Sequence, residues 1–275
     1  MRFDTPAPSR KAGAVGGYAF GDSALAARRL ALLAEVFEPT SRAFLTHVGA
    51  HLSGPPPELA VDLGCGPGHT TRLLVSVLGP RRVLGLDQSA SFVALAAADA
   101  PPGAEFAVHD VTAVPFPCPP AGLLSCRFLL GHLLDPAAAL AGWATQLAPG
   151  GLLLVEEVER IRTDQSALRR YLELAATLLA ARGHALEIGP RLHRLPDPPG
   201  LARRHDRAAA LAPPAARAAE LFARNLAVWR GDAVRSGLAV PVELERLAGE
   251  LAGVAAGEVG GTIAWELRQL AFQRA

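Results

Sequence analysis

Apolar residues recur at helical spacing in the first part of the chain. Ser23 can cap a helix over 24–37, and a second helix is predicted to begin at Thr40–Ser41. The stretch HLSGPPPE (51–58) interrupts this helical pair, because proline and glycine are poor continuers of a helix. We therefore expect residues 1–56 to form a flexible N-terminus followed by a helical cap.

After this break, short apolar runs alternate with amphipathic helical stretches. Strands are predicted at 58–63, 81–87, 104–110, 122–128 and 152–159, and helices at 67–79, 89–100 and 136–151. Repeated strand–helix units with apolar strands are typical of a parallel sheet that helices cover on both faces.

The last third of the chain is less regular. Its patterns predict helices at 166–183, 213–230 and 241–254 and strands at 200–211 and 260–272. The low β-propensity of 200–211 is atypical of a strand. Two helices between the last two strands predict a helical insertion over about 212–257, where it can cover a site.

The turn after the first predicted strand reads D-L-G-C-G-P-G (62–68). Alternating glycines let the backbone approach a ligand closely, and the following helix presents free N–H groups at the same place. A dinucleotide-binding loop instead has the order G-x-G-x-x-G and binds a pyrophosphate, which the carboxylate of Asp62 would repel. The same carboxylate would attract a ligand that carries an ammonium and a sulfonium. The charge pattern therefore favours S-adenosylmethionine over NAD.

This segment resembles motif I of the Rossmann-fold (class I) S-adenosylmethionine-dependent methyltransferases. Later segments resemble the family's further motifs in the expected order: VLGLDQS (83–89), HDVTAVPF (109–116), LLSCRFLLGHLLDP (123–136) and LAPGGLLLVEE (147–157). The resemblance covers about 57–160. It implies an α/β, Rossmann-like methyltransferase fold: a mostly parallel seven-stranded sheet with helices on both faces, an N-terminal helical cap and a helical insertion before the last strand.

The resemblance also implies which residues bind the cofactor. By the family's pattern, Asp87 binds both ribose hydroxyls of S-adenosylmethionine and Asp110 meets the adenine amino group. Tyr18 and Phe20 could stack over the cofactor from the cap. The predicted cofactor-binding residues are Tyr18, Asp62, Gly64, Cys65, Gly66, Gly68, Asp87, Gln88, Asp110, Val111 and Arg127. Residues 57–275 would then form the S-adenosylmethionine-binding catalytic domain, and S-adenosylhomocysteine would be the product.

Two residues are candidate general bases. His132 follows the fourth predicted strand, and an imidazole near its ordinary pKa suits proton removal from an acceptor. Glu156 and Glu157 end the fifth strand, where alternation sends only one of them toward the pocket, so we expect no metal site; Glu157 is the second candidate base. A base is optional, since the sulfonium already activates the methyl group and the protein has chiefly to align the reactants.

Composition and charge bear on the acceptor and on the compartment. The formal net charge is +1, which gives no general attraction to nucleic acid or anionic lipid. Three cysteines match no zinc spacing, and no run has the length of a membrane span, so we expect a cytoplasmic protein with reduced thiols. We also expect a monomer or homodimer.

The favoured acceptor is a small metabolite. A looser resemblance to the ubiquinone/menaquinone-biosynthesis-like subgroup implies it, and CRFLLGH stands where base-flipping amino-methylating enzymes carry N/D-P-P-Y/F. Three alternatives remain open: methylation of tRNA or protein, a methyltransferase-fold protein that binds the cofactor without transferring methyl groups, and a nicotinamide-dependent oxidoreductase.

Overall fold

The structure is a computed structural model that describes residues 23–50 and 56–275. Its strands are β1 (Leu59–Leu63), β2 (Arg82–Asp87), β3 (Ala104–Val108), β4 (Ala121–Arg127), β5 (Leu147–Thr163), β6 (Leu201–Leu211) and β7 (Ile263–Arg274). Its helices are α1 (Ala24–Gly49), α2 (His69–Leu78), α3 (Ala90–Ala98), α4 (Pro136–Ala144), α5 (Ser166–Ala180), α6 (Gly189–Arg194), α7 (Ala215–Arg235) and α8 (Pro241–Ala255).

The strands form a single seven-stranded sheet in the order β3-β2-β1-β4-β5-β7-β6. Neighbours from β3 to β5 run parallel, whereas β7 pairs antiparallel with both β5 and β6. All five residues of β1 are buried, as expected for a central strand that helices cover on both faces. The predicted mostly parallel, seven-stranded fold is confirmed.

The predicted pair of N-terminal helices is wrong: α1 is one helix of 26 residues that continues through Pro39. A proline inside a helix removes one backbone hydrogen bond and crowds the preceding turn. The buried stripe nevertheless continues on both sides of it, with Val36 and Phe37 before and Phe44 after. Tertiary packing of this stripe keeps the helix continuous where local signals favour a break.

The structure also differs from the prediction at the end of α4. The predicted helix over 136–151 ends at Ala144, because β5 begins at Leu147 and pairs there with Ala121. A register shift before the next pair, Leu123 with Leu152, accommodates the Pro-Gly-Gly segment as an irregularity within the strand. The doubtful segment 200–211 is a strand, β6, whereas α6 is absent from the sequence prediction.

The predicted cap and insertion both lie over one side of the sheet. The insertion consists of α7 and α8, which lie between β6 and β7, as predicted. Arg217 of α7 pairs with Glu35 of α1, and Arg29 of α1 donates to Asn225 of α7 at 3.1 Å. Across the described ranges no helix combines the length and apolar character that crossing a bilayer requires.

Candidate active site

A cavity of about 540 Å³ opens at the carboxyl edge of the parallel strands. In open α/β sheets, ligands bind at this edge. The loops after β1, β2 and β3 line one half, which we call the glycine-loop half; it includes Gly64, Cys65, Gly66, Asp87, Gln88, Asp110 and Val111. The other half, the apolar half, lies beneath α1, α5 and α7; it is lined by Leu30, Leu33, Phe37, Phe128, Val158, Ile161, Tyr171, Leu172, Leu179, Leu221, Phe222 and Trp265.

The glycine loop is held open to the cavity by backbone conformations that favour glycine. Gly64, Gly66 and Gly68 have φ angles of +68°, +51° and +82°, in the left-handed region. A Cβ on Gly64 would lie 2.9 Å from the side chain of Leu129. Since the N–H groups of residues 64 and 65 donate to the carbonyl of Leu86, β2 fixes the start of the loop.

Asp87 and Asp110 bring two carboxylates to the glycine-loop half. The Oδ2 of Asp87 accepts from the N–H of Gly66 at 2.8 Å, and its Oδ1 accepts from the N–H of Ser89 at 2.8 Å. The Oδ1 of Asp110 accepts from the N–H and the hydroxyl of Thr112 at 2.9 and 2.7 Å. A carboxylate oxygen can accept more than one hydrogen bond, so both groups can also receive ligand hydroxyl or amino protons.

Val111 and Gln88 also line this half, and their contact with a cofactor stays a prediction. Val111 is held from behind, because its carbonyl accepts from the indole N–H of Trp143 at 2.8 Å. An apolar side chain fixed in this way offers a flat ligand a rigid wall. The Cys65 side chain is buried at the same place, where burial raises the pKa of its thiol well above the ordinary range.

Asp62 lies behind the loop rather than in the cavity wall. Its side chain is 1% exposed and accepts from the Thr71 hydroxyl of α2 at 2.6 Å. Burial raises the pKa of this carboxyl to about 7, although the nearby Arg127 guanidinium acts in the opposite direction. Gly68 is likewise absent from the lining and serves as the N-cap of α2. Asp62 and Gly68 therefore support the loop from behind in this structure, and their predicted part in cofactor binding stays a prediction.

Arg127 ends β4 and Phe128 follows it, where the two halves of the cavity meet, and both residues line the cavity. Burial lowers the pKa of Arg127, an effect that the Glu156 carboxylate opposes. The Arg127 guanidinium lies 5.0 Å from the centre of the Phe128 ring. Phe128 has a φ of +53°, a conformation that costs a residue with a Cβ about 1–2 kcal/mol. Such strain clusters at ligand sites.

Glu156 and Glu157 point to opposite sides of β5, as alternation predicts. Glu156 accepts from the Ser41 hydroxyl and, at 2.6 Å, from the Gln269 amide, on the side away from the cavity. Glu157 lines the cavity, and its Oε1 accepts from the N–H groups of Leu129 and Leu130, both at 2.6 Å. Burial raises its pKa to about 7. Its carboxylate thus holds the turn after β4, a task that competes with the predicted role of general base.

His132, the other candidate base, also lines the cavity and is half-buried. Desolvation lowers its pKa to about 3, with a smaller contribution from the neighbouring His184, whose ring lies edge-on at 5.8 Å. The imidazole is therefore neutral at physiological pH but a weak base. Within the described ranges, no three His, Cys, Asp or Glu side chains form a group that could hold a metal ion.

The sequence did not predict most of the apolar half. Of the elements expected to cover the site, α1 of the cap and α7 of the insertion do line the cavity, but α8 packs behind α7, and α5 takes its place. The apolar stripe of α5 was the available signal, since a helix after β5 has to cover the same sheet face. Tyr18 and Phe20 lie outside the described residues.

Comparisons with known proteins agree with this geometry. Residues 60–151 match the methyltransferase domain family. A solved structure from Bacillus halodurans, provisionally named a methyltransferase, superposes with a TM-score of 0.58 at 15% identity, covering 85% of this chain and 98% of its own. The chain has the Rossmann-like methyltransferase fold.

Curated relatives extend the likeness to named enzymes. Trans-aconitate 2-methyltransferase of Methylobacterium nodulans is 39% identical over 114 residues, which is 42% of this chain and 43% of the relative. The enzyme of the same name from Methylobacterium radiotolerans is 35% identical over 143 residues, or 52% and 54% of the two chains. The chain therefore spans about half the length of the curated relatives it matches. The expected ubiquinone/menaquinone-like subgroup is not confirmed, because these relatives are named trans-aconitate methyltransferases.

Proposed function

We propose that this protein is an S-adenosylmethionine-dependent methyltransferase that transfers a methyl group to an O, N or C nucleophile of a small molecule. The arrangement that carries the proposal is the row of groups at the sheet edge. The open glycine loop after β1, Asp87 after β2 and Asp110 after β3 line one continuous cavity in the order of their strands.

The glycine-loop half fits S-adenosylmethionine by the chemistry of its donors and acceptors. Asp87 would bind the ribose hydroxyls, Asp110 would accept from the adenine amino group, and Val111 would pack against the base. Arg127, at the boundary of the two halves, would pair with the donor's carboxylate, an interaction that a guanidinium favours. Gly64 and Gly66, with φ angles in the left-handed region, would present backbone rather than side chains to the amino-acid portion. When bound, the cofactor supplies an activated methyl group.

The protein's own contribution is alignment and exclusion of water. The cavity lies between the sheet edge and α1, α5 and α7, and these elements would hold an acceptor against the donor and shield part of it from water. Fixing two reactants in line can supply several kcal/mol of a bimolecular barrier. His132, neutral near pH 7, and Glu157 remain the two groups that could receive an acceptor proton; neither is required if the acceptor is already a nucleophile.

The names of the relatives make trans-aconitate one candidate acceptor. A cavity of about 540 Å³ suits a small acceptor better than tRNA or protein, which the formal net charge of +1 also disfavours. Cytoplasmic location and the monomer or homodimer remain predictions.

Isothermal titration of the purified protein with S-adenosylhomocysteine tests the cofactor assignment directly. We expect saturable 1:1 binding, and absence of heat at millimolar ligand would refute the proposal. Incubation with methyl-labelled S-adenosylmethionine and a metabolite extract then tests transfer: cofactor binding without any labelled product would favour a protein of this fold that no longer transfers methyl groups.

A further inference from the structure

The apolar half of the cavity has an aromatic wall. Phe37 makes edge contacts with Phe128 and Trp265, with ring centres 5.1 and 5.4 Å apart. Trp265 in turn meets Phe222 at 5.8 Å, and Phe222 stacks on Tyr171 at 4.1 Å. These five rings come from α1, the end of β4, β7, α7 and α5, so distant parts of the sequence converge on one wall.

Aliphatic side chains complete this half of the cavity. Ile161 of β5 lies directly opposite Trp265 of β7 in the sheet register, and Leu172 of α5 and Leu33 of α1 face the same space. All three aliphatic residues are only half-buried, because part of each borders the cavity. Such a lining lowers the free energy of an apolar guest by removing its surface from water.

The cationic groups near the apolar half can balance one acceptor charge at most. Arg29 donates to the neutral Asn225 amide oxygen at 3.1 Å, and Arg127, which lies over the Phe128 ring, is the group proposed for the donor's carboxylate. His132 is neutral, since burial lowers its pKa to about 3. A molecule with several carboxylates would thus bring more negative charge into this half than its walls can balance, and burying an unpaired charge is costly.

We infer that the acceptor is a largely apolar, planar small molecule with at most one charge, rather than a polycarboxylate. This inference rests on the proposed function, because it assigns the apolar half to the methyl acceptor and the glycine-loop half to the donor. The aromatic wall would hold the acceptor's ring by edge and face contacts, and Phe128, at the boundary between the halves, would border the point of transfer.

The test uses the 275-residue chain saturated with S-adenosylhomocysteine and two probes, 2-naphthol and trans-aconitate. Calorimetry should show binding of 2-naphthol and none of trans-aconitate. Trp265 offers an optical readout: 2-naphthol should change the tryptophan fluorescence of the wild type and much less that of Trp265→Phe. Failure of S-adenosylhomocysteine to bind would count against the proposed function, whereas failure at the second step counts against the acceptor class alone.

Variants of the apolar half test whether 2-naphthol binds there. Leu172→Asp and Leu33→Asp place a carboxylate at half-buried positions of the apolar half and should weaken 2-naphthol binding by about tenfold or more, with S-adenosylhomocysteine affinity unchanged. Val242→Asp, at an exposed position of α8 outside the cavity, is the matched control. Unfolding midpoints confirm that each variant folds. Tighter binding of trans-aconitate than of 2-naphthol, binding of neither probe, or unchanged 2-naphthol affinity in both variants would overturn the inference.

Discussion

The carboxylate of Asp87 accepts a hydrogen bond from the backbone N–H of Gly66 at 2.8 Å, joining the end of β2 to the loop that follows β1. The two residues are 21 positions apart in sequence. One acidic side chain thus shapes the glycine loop and also faces the space that the proposed cofactor would fill. The bond requires only a backbone N–H at residue 66; what favours glycine there is its φ of +51°.

Replacing Asp87 with alanine should therefore weaken S-adenosylhomocysteine binding. Hydrogen bonds to charged groups contribute about 1.5–3 kcal/mol, so a loss of about 10- to 100-fold in affinity is expected. Calorimetry with S-adenosylhomocysteine measures it, and Asp99→Ala, which removes an exposed carboxylate at the end of α3, is the control. Equal affinities in the wild type and Asp87→Ala would show that Asp87 only shapes the loop.

Much of the fold could be predicted because its signals are local. Apolar strand runs and alternating glycines lie within a few residues of one another, and they located β1 to β4 and the carboxylates at 87 and 110. Pro39 shows the limit: a local break signal is overridden by packing of a long helix, which no window of sequence contains. The apolar half could not be predicted for the same reason, because Phe37, Tyr171 and Trp265 come together only after the sheet has formed.

Asp62 illustrates a second limit. Its position in the motif was predicted, but the direction of its side chain was not. The side chain points toward the following helix, where the Thr71 hydroxyl donates a hydrogen bond to it. Burial then raises the pKa of Asp62, whereas the pKa of an exposed, ligand-binding carboxylate would stay near its ordinary value. Motif spacing identifies a residue's place along the chain, whereas its electrostatic state depends on what packs around it.

The raised pKa of Asp62 predicts a pH-dependent contribution to stability. In the folded state its carboxyl keeps its proton up to pH of about 7, whereas in the unfolded chain it ionises near 3.8. Because the folded state binds more protons in this window, this group's contribution to stability falls as pH rises from about 4 to about 7. The change should be on the order of 2–4 kcal/mol.

Asp62→Asn keeps the shape and removes the titration. Urea unfolding between pH 5 and 8 should therefore show the variant gaining stability relative to the wild type as pH rises. Asp99→Asn removes an exposed carboxylate and controls for the loss of one negative charge. A constant difference between Asp62→Asn and the wild type across this range would contradict the buried, proton-retaining state.

The contribution of His132 to stability should depend on pH in the opposite direction to that of Asp62. Its pKa falls from 6.5 to about 3 on burial, so the unfolded chain binds the extra proton between these values and the folded protein does not. This group's contribution to stability is thus complete above pH 6.5 and is lost as pH falls toward 3. In nitrogen–proton NMR spectra, the His132 imidazole, assigned by its absence in His132→Asn, should remain neutral from pH 8 down to pH 5. A titration near pH 6.5 would revive it as a general base of ordinary strength.

Glu157 offers the sharpest separation between an anchoring and a catalytic role. Glu157→Ala leaves the N–H groups of Leu129 and Leu130 without their acceptor, and an unsatisfied buried donor costs about 1–3 kcal/mol. Glu157→Gln keeps a carbonyl oxygen that can accept the same two bonds. We therefore expect a clear fall in the free energy of unfolding for the alanine variant and recovery of most of it in the glutamine variant, measured by urea denaturation.

The same pair of variants tests the catalytic role once a methyl acceptor is available. A general base requires an ionisable carboxyl, which Gln lacks, whereas an anchor requires only the acceptor oxygen. If Glu157 is an anchor, Glu157→Gln should keep both stability and most of the turnover, and the pH profile of kcat should keep its shape. A glutamine variant that folds and binds S-adenosylhomocysteine like the wild type, but turns over at least about 100-fold more slowly, would instead establish Glu157 as the base, since general-base catalysis contributes an effect of that size.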